Sequence, residues 1–253
     1  MIRRLEERDC ANVSMTGGKG AALARMTALG IRVPPGFVVS AGALLRGLEG
    51  AGALSAVAEL VAGAAGGGPA QRRRIAQEIQ ACVRAVPLCH ELVADVSDAY
   101  ALLGDEVPVA VRSSACCEDS VAASCAGLQA TFLQVIGAGA VLESIRACWA
   151  AFYSERAIAY RAHDGSFTEL GIAVVVQRMV AADVAGVLFT VDPVAGRTDR
   201  IDRRGRLRAG RGRRVRSPDA RRVRARTQRP AHSTGPPRAA LCRRAARRRR
   251  HAR

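Results

Sequence analysis

The chain has 253 residues and a formal net charge of +17, which is unevenly distributed. Residues 1–196 carry a net charge of −3, whereas residues 197–253 contain 23 arginines and three aspartates, a net charge of +20. No stretch is apolar over the roughly 20 residues that a membrane span needs, and the N-terminus lacks the apolar core of a signal peptide. We therefore expect a cytoplasmic protein without a membrane partner, whose eight cysteines stay reduced and lack the spacing of a zinc site.

The first predicted element in the chain is a helix over residues 18–29. Its sequence, GKGAALARMTAL, places Leu23, Met26 and Leu29 at helical spacing, and Gly30 is a suitable stop. The following VPPGFVVS predicts a turn and a short strand. Residues 53–103 then predict helical structure with a break in the glycine-rich GAAGGGP and a restart at Gln71.

The second half of the acidic region is richer in strands. VPVAVRSS, residues 107–114, alternates like a strand and ends in small hydroxyls, and residues 139–163 have a helical pattern. GIAVVVQRMV and AGVLFTVDP predict two buried strands separated by a turn at AADV. We expect one mixed helix and strand domain over residues 1–196. Residues 197–253 lack Phe, Trp, Tyr and Met, and this composition predicts a disordered basic tail.

The stretch TGGKG, residues 16–20, contains Lys19, the only lysine of the chain. Glycines without a Cβ let backbone N–H groups approach phosphate oxygens, and an ammonium group supplies charge. The stretch is not a P-loop, because Gly20 rather than Ser or Thr follows Lys19. A surface turn with one solvated lysine is the alternative reading of the same pattern.

Arg112 stands at the end of an apolar strand, in VAVRSSACCED. A guanidinium leaving a buried strand needs an anion, which is either a structural carboxylate or a ligand phosphate. The next stretch, SCAGLQATF, offers Gly127 for close backbone approach and the hydroxyl of Thr131. It is typical of a second phosphate loop.

Four stretches together resemble one family, the N-terminal ATP-binding domain shared by phosphoenolpyruvate synthase, pyruvate phosphate dikinase and rifamycin phosphotransferase. They are GGKGAALARMTALGIRVPPGFVVS, VAVRSSACCEDSVAASCAGLQATFLQV, CWAAFYSERAIAYR and AVVVQRMVAADVAGVLFTVDPVAG, in the order of the family. The resemblance covers residues from about 12 to 196. It implies an α+β fold of the ATP-grasp type, in which two lobes sandwich the nucleotide, with the second lobe incomplete here.

The resemblance also implies roles for individual residues. Lys19 and Arg112 would contact ATP phosphates, and Gly127 and Thr131 would belong to the phosphate loop. The strand that ends in QRMV would offer Gln177 and the backbone of Met179 and Val180 to the adenine. In the intact phosphotransferases Mg²⁺ bridges the phosphates, and a phosphoryl group passes to a histidine and then to pyruvate or the antibiotic.

This sequence departs from the family in several places. Cys125 and Leu128 stand where the family often has Phe and Gln, and the resemblance ends after Gly196, before the segment with the family's metal-binding acid. None of the four histidines lies in a phosphohistidine motif. Synonymous codons for residues 201–218 can be chosen so that reading one nucleotide later gives STAAAGFGQAVVVGSGHP, which resembles the missing segment. We therefore expect the tail to be derived from a frameshift.

Two functions of different classes follow from the sequence. The first is the ATP-binding part of a phosphotransferase, a truncated kinase domain that is inactive alone. The second is a binding protein whose arginine-rich tail holds nucleic acid or another polyanion without sequence preference. A third possibility is a product that never folds stably, because its second lobe lacks strands and leaves a sheet edge exposed.

Overall fold

The computed structural model describes residues 1–64, 67–115, 130–164, 171–189, 200–207 and 222–226. These residues form two compact units, Met1–Val180 and Ala181–Arg253. The boundary that the composition predicts, at residue 196, lies outside the described residues.

The first unit contains five strands, seven α-helices and a short 3-10 helix among its described residues. In chain order they are β1 (Ile2–Arg4), the 3-10 helix (Arg8–Ala11), α1 (Val13–Ala28), β2 (Gly36–Val39), α2 (Ala41–Gly50), α3 (Leu54–Ala64), α4 (Pro69–Ala85), α5 (His90–Ala101), β3 (Val109–Ser114), β4 (Thr131–Val135), α6 (Ala138–Ala151), α7 (Glu155–Asp164) and β5 (Ala173–Arg178).

The strands of the first unit form one antiparallel sheet in the order β1-β2-β5-β3-β4. Its central strands are rich in valine, a β-branched residue that suits a pleated surface. The helices and the antiparallel sheet together confirm the predicted α+β class.

Both faces of this sheet are covered, by different elements. One face, here called the helical face, carries buried side chains such as Phe37, Val111 and Val176, which belong to one core with residues of α2 to α7, including Trp149. The opposite face is called the α1 face, because Val38, Ala173 and Val175 share a smaller core there with Ala24 of α1. The alternation of side chains along each strand separates the two sets.

Several predicted elements are confirmed with shifted limits. The predicted helix over residues 18–29 corresponds to the part of α1 that follows an interruption at Gly17 and ends at Ala28, whereas α1 as a whole begins at Val13. The region 53–103 contains three helices, because α4 ends before Pro87, whose ring disfavours a helical conformation at Val86. The predicted helix 139–163 is divided into α6 and α7 at Phe152–Ser154. The sequence patterns did not predict β1, α2 or β4.

The second unit contains β6 (Val184–Phe189), β7 (Arg200–Leu207) and β8 (Arg222–Arg226), paired antiparallel in that order. The prediction that β6 is buried is wrong, because Val187 and Leu188 are each 56% exposed. The expected disorder of the tail is not confirmed, since β7 and β8 lie within it. In the part of the chain that the structure describes, no helix is long and apolar enough to cross a membrane.

Candidate functional site

The glycine-rich segment forms an interrupted helix start. Asn12 caps the first turn of α1, where its side chain accepts a hydrogen bond from the Ser14 N–H. Gly17 then breaks the helical conformation with φ 69° and ψ 173°, which is a backbone region that glycine alone adopts readily. Lys19 is half-buried and lies in the first turn of the helical stretch that continues to Ala28.

Three hydrogen bonds join this segment to the end of β3. The Ser114 hydroxyl donates to the Thr16 carbonyl at 2.8 Å and accepts from the Gly20 N–H at 3.2 Å. The Gly18 N–H donates to the Ala115 carbonyl at 2.8 Å. Both neighbours of Lys19 are therefore tied to the strand that contains Arg112.

These contacts give the glycines a different role from the predicted one. A Cβ on Gly17 would lie 2.1 Å from the Ser114 carbonyl oxygen, so only glycine permits this approach of helix to strand. The N–H groups of Gly18 and Gly20, which we expected to face phosphate, are already bound to β3. The glycines bring Lys19 close to the strand, and the lysine remains the predicted phosphate contact.

Arg112 and Thr131 occupy directly opposite positions on β3 and β4. Paired residues of neighbouring strands lie on the same face of a sheet, and pairing of Arg112 with Val175 assigns both to the α1 face. The Nε of Arg112 is buried and has no hydrogen-bond partner among the described residues. An unpaired charged donor is unfavourable unless an anion completes it, so this position fits a negatively charged ligand.

Gln177, Met179 and Val180 follow one another at the end of β5. The side-chain amide of Gln177 donates to the Pro34 carbonyl at 3.1 Å, and the Met179 N–H donates to the Pro108 carbonyl at 2.9 Å. Val180 is exposed. Gln177 lies on the α1 face, two positions along β5 from Val175, and is paired with Ala110.

Several predicted site residues thus lie in line along β3. Gln177 is the strand partner of Ala110, and Thr131 is the strand partner of Arg112. The Lys19 segment, residues 16–20, is hydrogen-bonded to Ser114. Four residues of a strand span about 13 Å. The structure therefore brings Arg112, Thr131, Gln177 and the segment of Lys19 to one face. Met179 and Val180 follow the end of β5, and Gly127 lies outside the described residues.

No predicted site residue lines the open cleft of about 520 Å³ at the other edge of the sheet. That cleft is bounded by β1, the start of α1 and α2, with Arg3, Ser40, Arg46 and Glu49 in its wall. It is thus separated from Arg112 and Thr131 by the strands β2 and β5.

The buried cysteines of the first unit are unsuited to nucleophilic chemistry. Burial raises the pKa of the Cys148 thiol to about 12, and burial together with the nearby Glu7 and Glu6 raises that of Cys10 to about 11. Both thiols remain protonated near neutral pH, and the thiolate is the reactive form. Among the described residues no group of three His, Cys, Asp or Glu side chains could hold a metal ion, so Mg²⁺ is assigned no protein ligand.

Sequence reasoning missed Ser114 as a member of this site. The pattern VAVRSS showed a strand that ends in two hydroxyls, but it did not show that one of them bonds to a segment more than 90 residues away. The contact arises from the packing of α1 against β3, which the local sequence does not show.

The α+β fold and the cationic and polar groups along one sheet face are consistent with a domain that binds an anionic ligand. Residues 13–236 match the family "Pyruvate phosphate dikinase, AMP/ATP-binding domain". The chain belongs to this family. The match extends 40 residues beyond Gly196, where we had expected the resemblance to end.

The relatives of the chain are long phosphotransferases and synthases. It is 39% identical to the rifampicin phosphotransferase of Streptomyces sviceus over 76% of this chain and 22% of that protein. It is 39% identical to a probable phosphoenolpyruvate synthase of Methanothermobacter thermautotrophicus, over 78% of this chain and 29% of that protein. It is 33% identical to the rifampicin phosphotransferase of Bacillus subtilis, over 77% of this chain and 23% of that protein. The chain spans about a quarter of the length of these relatives.

Proposed function

We propose that the first unit binds ATP along the α1 face in the manner of an ATP-grasp kinase domain. In this proposal the phosphates meet Lys19, Arg112 and Thr131, and the adenine lies near the end of β5. Two observations support this arrangement. Arg112, Thr131 and Gln177 lie on the same face of the sheet, and the chain belongs to an AMP/ATP-binding family.

The unpaired Nε of Arg112 is the observation that carries the proposal. Buried Nε atoms without partners also occur at Arg3, Arg72 and Arg146. Arg112 differs from them because its neighbour across the strand is the exposed hydroxyl residue Thr131, on the face that also bears the Lys19 segment. A phosphate at this position would complete the guanidinium by charge-assisted hydrogen bonds.

The hydrogen bonds at the end of β5 narrow the adenine contacts. The Met179 N–H is already bound to Pro108, so this residue would contribute its carbonyl oxygen, next to the backbone of Val180. The Gln177 amide nitrogen is bound to Pro34, which leaves its Oε1 as an acceptor. Two acceptors suit the exocyclic amine of adenine, which is a donor.

The proposed role of ATP is that of phosphoryl donor in a longer phosphotransferase reaction. The family resemblance supports transfer to a histidine and then to pyruvate, or to a rifamycin in the alternative reading. We propose that this chain supplies the nucleotide-binding part of that reaction, in agreement with the family to which it belongs. The family resemblance also implies Mg²⁺ as the cofactor of this transfer.

Isothermal titration of the full chain with ATP tests the proposal. Arg112→Ala should weaken ATP binding by roughly 10- to 100-fold, because a hydrogen bond to a charged group contributes about 1.5–3 kcal/mol. The matched control is Arg146→Ala, which removes a partly buried arginine from α6, on the other side of the sheet. Equal ATP affinity in wild type and Arg112→Ala would contradict the proposed site.

Polyanion binding by the arginine-rich region is a second candidate function. The specific observation is the net charge of +20 over residues 197–253. Arginines that neutralise phosphates release counterions, so such binding should weaken steeply with salt and be indifferent to base sequence. Titration with duplexes of two unrelated sequences at two salt concentrations tests this, and a preference for one sequence would contradict it.

A further inference from the structure

Ser114 lies at the junction between the two predicted phosphate contacts. We propose that Ser114 is a positioning residue that holds Lys19 in register with Arg112 for the triphosphate of ATP. This inference rests on the proposed nucleotide site and adds to it a residue to which no role has been assigned.

The Ser114 hydroxyl is fully buried and acts both as a hydrogen-bond donor and as an acceptor. It donates a hydrogen bond to the Thr16 carbonyl and accepts one from the Gly20 N–H. The two partners are four positions apart and enclose Lys19. One side chain of β3 therefore fixes the backbone on both sides of the lysine.

The glycines show that this contact is built into the local structure. Gly17 takes a conformation that disfavours other residues, and a Cβ there would lie 2.3 Å from the Ser114 Oγ. Removing the Ser114 hydroxyl would break two of the three hydrogen bonds described above and leave only the bond from the Gly18 N–H to the Ala115 carbonyl. The start of the helix would then be less restrained, and holding a cation ready for its anion reduces the ordering that binding requires.

Arg112 and Ser114 belong to the same face of the same strand, two positions apart. Any shift of the Lys19 segment relative to Ser114 therefore changes the separation of the two cations. The consequence of losing the hydroxyl should appear in binding of the phosphates and not in binding of the adenosine part, whose proposed contacts lie at the end of β5.

The test compares affinities for ATP and for adenosine in the full chain. Wild type should bind ATP more tightly than adenosine, and Ser114→Ala should lower the ATP affinity about tenfold while changing that for adenosine less than about twofold. The matched control is Ser113→Ala, the adjacent buried serine, whose hydroxyl bonds to Ala130 instead. Fluorescence of Trp149, the only tryptophan, reports whether each variant is folded.

A double-mutant cycle separates positioning from general structural damage. If Ser114 acts through Lys19, the variant Lys19→Ala/Ser114→Ala should bind ATP no more weakly than Lys19→Ala alone. Additive losses, or equal losses for ATP and adenosine, would overturn the inference. If Ser114→Ala does not fold, Ser114→Cys replaces it in the same comparisons, because a thiol keeps the shape but is a weaker donor. A wild type that binds ATP no better than adenosine would instead refute the proposed function.

Discussion

The two units of the chain use apolar strands in different surroundings. In the first unit, valines of β2, β3 and β5 are buried by helices on one face and by α1 on the other. In the second unit, Val187 and Leu188 of β6 are more than half exposed. An apolar strand pattern therefore predicts a strand in both units, but it predicts burial only where other elements provide a covering layer.

The units also differ in the charges that their strand pairs bring together. In the first sheet, the partners of the central strands are mostly valines. In the second, the register places Arg200 opposite Arg226 and Arg204 opposite Arg222. Like charges at opposite positions are unfavourable, so we expect the second unit to be the less stable of the two.

The largest predicted effect comes from removing the same side chain in the two units. Leu44→Ala should lower the free energy of unfolding by about 2–5 kcal/mol, because Leu44 is fully buried and its removal leaves a cavity. Leu188→Ala should change it by less than about 0.5 kcal/mol, because Leu188 is mostly exposed. Urea unfolding followed by circular dichroism and by Trp149 fluorescence measures both.

Equal costs for the two leucines would remove the contrast between the units. Such a result would mean that Leu188 is covered in solution, for example by a further copy of the chain. Dependence of the unfolding midpoint on protein concentration would then identify association as the cause.

The next effect concerns the approach of α1 to β3. Gly17→Ala should destabilise the first unit by about 2 kcal/mol or more, because it adds a conformational penalty to a contact with backbone. Gly42→Ala is the matched control, since Gly42 is a helical glycine with open space at the position of a Cβ. Thermal unfolding of both variants measures the difference. A Gly17→Ala variant as stable as wild type would show that the helix start is not held as described.

Much of the first unit could be predicted from local sequence. The strands around Val111 and Val175 and the helix after Lys19 have clear periodicity, and their existence is confirmed. The break between α4 and α5 was missed although Pro87 signals it. β1 was missed because it has only three residues, and its pairing with β2 stabilises it. Short strands depend on partners that the local sequence does not reveal.

The candidate site was predictable in its residues but not in its connections. Lys19, Arg112 and Gln177 were identified from motifs, and the structure places them on one face. The contact of Ser114 with Gly20 depends on strand order and helix position, which no local pattern contains. The frameshift origin of the tail and the ATP contacts of individual residues remain predictions.

A smaller effect concerns the pH dependence of the stability of the first unit, which contains two buried cysteines with raised pKa values. In the folded first unit, the raised pKa values keep Cys10 and Cys148 protonated to about pH 11 and 12, whereas unfolded thiols ionise from about pH 9. The unfolded state then binds fewer protons, so stability should fall as pH rises above 9, by about 1.4 kcal/mol per pH unit for each thiol.

Urea titrations at pH 8 and pH 10 measure this loss, with Trp149 fluorescence as the signal. Cys148→Ala should show a shallower loss between the two pH values than wild type. Cys89→Ala is the control, because Cys89 is exposed and should leave the alkaline dependence unchanged. The same loss in Cys148→Ala as in wild type would assign the alkaline effect to other groups.

The smallest predicted effect tests the charge argument in the second unit. Arg204→Glu places an acidic residue opposite Arg222 and should stabilise the β7–β8 pair by about 0.2–1 kcal/mol. Asp202→Arg does the reverse, since Asp202 pairs with Arg224, and should destabilise the same strands by a similar amount. Hydrogen exchange of the amides in β7 measures both changes, with those of β5 as the internal reference. The two variants change the charge pairing between β7 and β8 in opposite directions, so their effects on the exchange rates should also be opposite. If the amides of β7 exchange faster in both variants, or slower in both, the pairing of charges is not the cause.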